Sequence, residues 1–141
     1  MASGSGMREL AWNRTPKTAP GVTFADLDAV LAESQVLSVH LLLNDETRGF
    51  LSAERLARVR PGAILVNTAR AAIVDEAAMI EGLRSGHLRH AALDVFGTEP
   101  LPAGHVLTTL PNVTLSAHSA FRTPEASDKL IRMALDIACG L

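Results

Sequence analysis

Cysteine is almost missing from this chain of 141 residues: Cys139 stands alone, which excludes an intrachain disulfide. That usage fits a reducing, cytoplasmic compartment. No neighbouring feature would lower a thiol pKa, so Cys139 reads as a buried helix residue or part of a frayed helix end. Basic charge is lacking too. The formal net charge is -2 and charged residues are scattered, with no block long enough to be a tail, which argues against nucleic acid or an anionic membrane as partner. No apolar stretch approaches the ~20 residues of a membrane span. The longest, around Val36 to Leu43, is interrupted by Ser38 and His40. The opening residues Met1 to Gly6 have no apolar centre and are no signal peptide; residues 1–6 read as a linker or leader outside the fold. Internal repeats are absent, and no histidine shows metal-ligand spacing, so no metal site is expected.

What is present is ordinary for a globular domain: 48% hydrophobic and 20% charged residues, enough for one core. Leu10-Ala-Trp12 and Val22-Thr-Phe24 read as short strands, with Pro16, Pro20 and Gly21 keeping the stretch between them irregular. Leu27, Val30 and Leu31 form a helical stripe, and Val36 to Leu41 a buried strand containing His40 as a packed residue. Ser52 caps a helix with Leu56 and Val59 inward, stopped by Pro61-Gly62. Ala63 to Asn67 is the next buried strand. Asp75 caps a helix with Ala77, Ile80 and Leu83 inward, and Gly86 ends it. His87 and His90 flank the turn that follows, exposed. Ala91 to Val95 and Val113 to Ala117 are further strands. Thr123-Pro124 starts a last helix with Leu130, Met133, Ala134 and Ile137 as its stripe. Strands alternating with helices, the strands continuously apolar, predict an α/β fold with a parallel sheet covered on both faces.

Three of these strands run directly into polar residues suited to chemistry. Ala63–Asn67 leads to Thr68-Ala69-Arg70, Ala91–Asp94 to Glu99, and Val113–Ala117 to His118. Parallel sheets bind ligands at the carboxyl ends of their strands. A 2-hydroxy or 2-keto acid needs a bidentate cation for its carboxylate, which favours Arg70. Its hydroxyl needs a proton acceptor near neutral pH, which suits His118. An imidazolium gains from a carboxylate behind it, a place either Glu99 or Asp94 can take. Singly, each residue has an everyday use: a surface ion pair for Arg70, a structural role for His118, a turn cap for Asp94. Three successive strand ends carrying complementary groups favour a site.

These residues stand in motifs: Asp45-Glu-Thr-Arg48, Pro61-Gly-Ala-Ile-Leu-Val-Asn-Thr-Ala-Arg70, Val74-Asp75, Leu93-Asp-Val-Phe96, Glu99-Pro-Leu-Pro102, Pro111-Asn-Val113 and His118. Together they make the chain, from Met7 to Leu141, resemble the nucleotide-binding domain of the D-isomer-specific 2-hydroxyacid dehydrogenases. The resemblance implies a partial dinucleotide-binding domain over 7–141 and an NAD or NADP cofactor. It implies that Arg70 binds the substrate carboxylate and carbonyl, that His118 is the general acid and base, and that Glu99 pairs with His118. It further implies that Asp94 holds the nicotinamide carboxamide, Thr68 and Ala69 line the nicotinamide ribose, and Leu42 lies near the cofactor, where Arg70 and His118 also face it. Asn13-Arg14-Thr15 matches the place where NAD-preferring members carry an acid, and Arg14 there leans toward the 2′-phosphate of NADP.

The chain departs from the family in ways that matter. No residues fit the first strand and its Gly-x-Gly-x-x-Gly turn, whose N–H groups approach the pyrophosphate. The expected fold is therefore a partial Rossmann-like, doubly wound parallel sheet, split where that central strand would stand and leaving an unpaired edge. Leu42 replaces a usual proline, Ala71 a usual glycine and Gln35 a usual aspartate. The expected function is that of a truncated NAD(P)-dependent 2-hydroxyacid dehydrogenase, inactive alone, whose parent enzyme acts on a small 2-hydroxy or 2-keto acid and forms a homodimer. The alternative is a non-catalytic dimerisation or corepressor-like interaction module, and a third reading is a fragment with no role of its own.

Overall fold

The computed structural model describes residues 6–15 and 17–139, so Pro16 and most of the leader lie outside the described residues. The elements run β1 (Glu9–Ala11), β2 (Val22–Phe24), α1 (Leu27–Glu33), β3 (Val36–Val39), α2 (Ala53–Arg58), β4 (Ala63–Asn67), α3 (Glu76–Ser85), β5 (Leu88–Leu93), β6 (Val113–Leu115) and α4 (Pro124–Cys139). All strand pairs are parallel, and the strands form two sheets, β1-β2 and β3-β4-β5-β6. The split falls where the sequence places the gap. It leaves β1 and β3 as edges of separate sheets.

The helix signals hold because the local chemistry is satisfied. The Ser52 hydroxyl accepts from Arg55 N at 3.4 Å, and the Asp75 carboxylate from Ala78 N at 3.0 Å. Gly86 ends α3 at φ 77°, a left-handed conformation that glycine adopts without a Cβ penalty. Thr123 Oγ1 accepts from Ala126 N at 3.1 Å and starts α4. Buried residues of α1, α2 and α3, among them Leu31, Leu56, Met79 and Leu83, form one cluster with Leu37, Val39, Leu65, Ala91 and Leu93 of the sheet. Each such Leu, Val or Met side chain contributes about 1.5–3 kcal/mol on burial. The small β1-β2 sheet joins this body through Leu10 and Trp12, with Trp12 stacked on Phe50 at 5.0 Å between centroids. Arg8 also pairs with Glu33 of α1 at 2.7 Å.

The structure corrects several expectations. Among the described residues, the four-stranded sheet is covered on one face only. Register sets Val36, Ile64 and His90 side by side, and likewise Ser38, Val66, Ala92 and Thr114, and none of these seven is buried. Val36 is 49% exposed and His40 is exposed, because β3 alternates and only Leu37 and Val39 reach the core. Strand β5 begins at Leu88, so His90 lies within it, half-buried, with Nε2 2.9 Å from Thr114 Oγ1. His87 is half-buried too, its Nε2 3.1 Å from Leu56 O. On α3 Met79 takes the inward place and Ala77 is exposed. Along α4 no residue is buried: Leu130, Met133 and Ile137 are exposed, and so is Cys139 in its last turn. Among the described residues, no helix is long and apolar enough to cross a membrane.

Candidate functional site

Parallel strands all point their carboxyl ends to one edge of a sheet, and the polar residues after β4, β5 and β6 meet there. Strand β4 ends in Asn67, which is 2% exposed. A buried amide needs partners. Asn67 Oδ1 accepts from Ala69 N at 3.0 Å, and Nδ2 donates to Arg70 O at 3.0 Å. This side-chain bracket shapes the Thr68-Ala69-Arg70 loop. Thr68 and Arg70 are exposed and Ala69 is half-buried. Arg70 Nη1 donates to Ala69 O at 2.6 Å, leaving the guanidinium at the surface.

Strand β5 runs into Asp94, 3% exposed and tied by its N–H to Asn67 O at 3.0 Å. Its Oδ1 accepts from Ser116 Oγ at 2.6 Å and from Ser119 N at 2.8 Å, and its Oδ2 accepts from Ala120 N at 2.8 Å. Burial pushes this carboxyl up, but hydrogen bonds from Ser116, Ala120 and Ser119, with the charge of His118, outweigh it and hold the pKa below the ordinary value.

Glu99 lies in the turn after β5. Its Oε1 accepts from Phe96 N at 3.0 Å, and its Oε2 accepts from His118 Nδ1 at 2.8 Å. A carboxylate only accepts, so Nδ1 carries the proton in this pair and Nε2 is left to exchange one. The Glu99 pKa is lowered, first by the His118 hydrogen bond and then by Phe96 N–H, against some burial, with the charges of His118 and Arg70 adding to the effect. Arg70 thus lies close enough for its charge to act on the Glu99–His118 pair. His118 itself has φ 49°, the only non-glycine residue with positive φ among the described residues. That conformation costs about 1–2 kcal/mol and persists only where the surroundings over-determine it. Phe121 packs edge-on to the His118 ring at 6.5 Å.

The other sequence-predicted residues lie around the loop after β3. Leu42 is 82% exposed, and its carbonyl accepts from Thr47 Oγ1 at 2.6 Å. Arg14 forms an exposed ion pair with Glu46 of the same loop. The structure therefore brings Arg70, Glu99, His118 and Asp94 together and ties Arg14 to the Leu42 loop. Sequence reasoning passed over Asn67 and Ser116. A buried asparagine closing an apolar strand was the available signal for Asn67. Ser116 had none. Among the described residues, no group of three His, Cys, Asp or Glu side chains could hold a metal ion.

The sequence pattern described as D-isomer specific 2-hydroxyacid dehydrogenase, NAD binding domain, matches residues 1–120. The chain belongs to this family. It is 42% identical over 115 residues to the glyoxylate reductase of Thermofilum pendens, covering 82% of the chain and 34% of the reductase. Among solved structures, it matches a D-isomer specific 2-hydroxyacid dehydrogenase from Xanthobacter autotrophicus Py2, in complex with NADPH and MES. The TM-score is 0.81 and the identity 41%, covering 96% of this chain and 58% of that one. It also matches a D-lactate dehydrogenase with NAD+ from Lactobacillus jensenii, with TM-score 0.86 and 31% identity, covering 94% and 44%. The chain thus corresponds to the nucleotide-binding module of the family and spans about a third of the length of the glyoxylate reductases it matches.

Proposed function

We propose that residues 7–141 form a partial dinucleotide-binding domain whose parent activity is reversible hydride transfer between NAD(P) and a small 2-hydroxy or 2-keto acid. The observation that carries this reading is the 2.8 Å contact from His118 Nδ1 to Glu99 Oε2 beside the Arg70 charge. Arg70 turns from Ala69 O to grip the substrate carboxylate with its two-pronged guanidinium. His118 Nε2 takes the proton of the substrate hydroxyl, or returns it in the reverse direction, and Glu99 stabilises the imidazolium. The cofactor supplies the hydride. Thr68 and Ala69 stand on the bracketed loop where the nicotinamide ribose would lie, with Leu42 near the cofactor. Asp94 Oδ2, with one protein donor, keeps a lone pair for the carboxamide. At the other end Arg14 favours the 2′-phosphate of NADP, which would have to displace Glu46.

The fit to the cofactor is good at the nicotinamide and poor at the diphosphate, because the sequence holds no Gly-x-Gly-x-x-Gly turn. These 141 residues are therefore expected to bind NADH and NADPH weakly and to show no turnover alone. Fluorescence titration with both nucleotides, followed by assays of glyoxylate and hydroxypyruvate reduction, tests this. Turnover that falls by about 10²–10⁴ in Arg70→Ala or His118→Ala would overturn the inactivity and uphold the residue roles. Turnover that survives both changes would sink the roles.

A second reading, a dimerisation or corepressor-like module, is favoured by α4, which offers Leu130, Met133 and Ile137 to solvent, and by the open face of the sheet. A homodimer fits either reading, and its mass in sedimentation decides whether it forms. A cytoplasmic setting fits the single free thiol of Cys139.

A further inference from the structure

The buried carboxylate of Asp94 does more than sit beside a cofactor. It accepts from Ser116 on one side of His118 and from Ser119 and Ala120 on the other, so a five-residue segment closes around one side chain. The only non-glycine left-handed residue among the described residues lies inside that segment. The backbone on both sides of this contact is tied to the sheet: Asp94 N donates to Asn67 O, and Ser116 N donates to Leu93 O. The segment is thereby referred to the ends of β4 and β5. Two acids then bear on one histidine: Glu99 holds its ring, and Asp94 holds the residues on either side of it. Three donors on one buried carboxylate favour the ionised form, in which both oxygens only accept.

We propose that Asp94 is the positioning residue for His118: by gathering Ser116, Ser119 and Ala120 it sets the left-handed bend that aims the imidazole at Glu99. The proposal rests on the reading of His118 as the proton-transfer group only for its meaning in catalysis. The geometry can be tested without turnover or cofactor.

The test is Asp94→Asn in the purified chain. Asn keeps one accepting oxygen for Ser116 and Ser119, but turns an NH2 toward the N–H of Ala120. Two NMR readouts follow, amide exchange at Ala120 and the carboxyl titration of Glu99. The expected result is at least a tenfold rise in Ala120 exchange, together with a Glu99 midpoint that moves up toward the ordinary glutamate value as His118 leaves it. Released Ala120 with an unmoved Glu99 midpoint overturns the proposal, because the backbone clamp would then not govern the pair. Should Asp94→Asn fail to fold, Ser116→Ala removes one donor and leaves the carboxylate. It is expected to raise Glu99 by less, in the same direction, and no movement there overturns the proposal equally. A carboxylate that served only the cofactor would leave Glu99 unmoved in both variants. Absence of turnover in the unchanged chain bears on the proposed activity and leaves these readouts as they are.

Discussion

The two faces of the four-stranded sheet share a backbone and differ in everything that gives stability. On one face Leu37, Leu65 and Ala91 lie in register, as do Val39, Asn67 and Leu93, all buried under helices. On the other, Val36, Ile64 and His90 lie in register with no described element burying them. Parallel strands normally read as unbroken apolar runs because both sides are covered. Here the open side mixes apolar Val36, Ile64 and Val66 with Ser38, His90 and Thr114. The candidate site draws on the covered side: Asn67 and Asp94 are the buried polar residues at the strand ends, and both hydrogen-bond to loops that carry Arg70 or His118.

The largest expected effect lies on the covered face. Leu65 is fully buried in β4, and Leu65→Ala should cost about 2–5 kcal/mol through lost burial and the cavity left behind. Urea unfolding of that variant beside Ile64→Ala, one residue along the same strand, compares the faces directly. A loss at Ile64 equal to that at Leu65 would abolish the distinction.

Next comes acid. The folded-state pKa of Asp94 is depressed, so its contribution is fully present above the unfolded value of about 3.9 and is lost as pH falls through the folded value. Unfolding free energy measured from pH 6 downward should decline less steeply in Asp94→Asn than in the unchanged chain. At neutral pH the variant should be less stable by about 1–3 kcal/mol, the cost of a buried donor left without its acceptor. Parallel acid slopes in the two proteins would show that this carboxylate is not an anchor.

These contrasts also mark how far the sequence could be read. The stripe of Leu27, Val30 and Leu31, the caps at Ser52, Asp75 and Thr123, and the split of the sheet are legible because each depends on neighbours in the chain or on a segment with no match. Arg70, Glu99, Asp94 and His118 are legible as strand-end residues and through the family's motifs. Which side of β3 is covered is not, since Val36 and Leu37 are equally apolar and only tertiary packing chooses between them. The same holds for Leu130 and Ile137 of α4, whose helical stripe is plain in the sequence while its neighbours are not. The three bonds to Asp94 come from Ser116, Ser119 and Ala120, more than twenty residues away, and two of those donors are backbone N–H groups that any residue but proline could supply.

The smallest expected effect is the one that sharpens the comparison most. Val36→Thr keeps the β-branched shape on β3 and exchanges a methyl group for a hydroxyl, at a residue 49% exposed. On a face open to water that exchange should change stability by no more than about 0.5 kcal/mol. On a face covered by a second copy of the chain, the hydroxyl would be buried, and the cost would rise toward about 1–3 kcal/mol. That cost would also depend on protein concentration, because the cover would be lost on dilution. Thermal unfolding of Val36→Thr at two protein concentrations a hundredfold apart separates these cases. Equal midpoints, close to those of the unchanged chain, would mean that the open face stays open in solution. A midpoint deficit that grows with concentration would assign the face to an interface between copies.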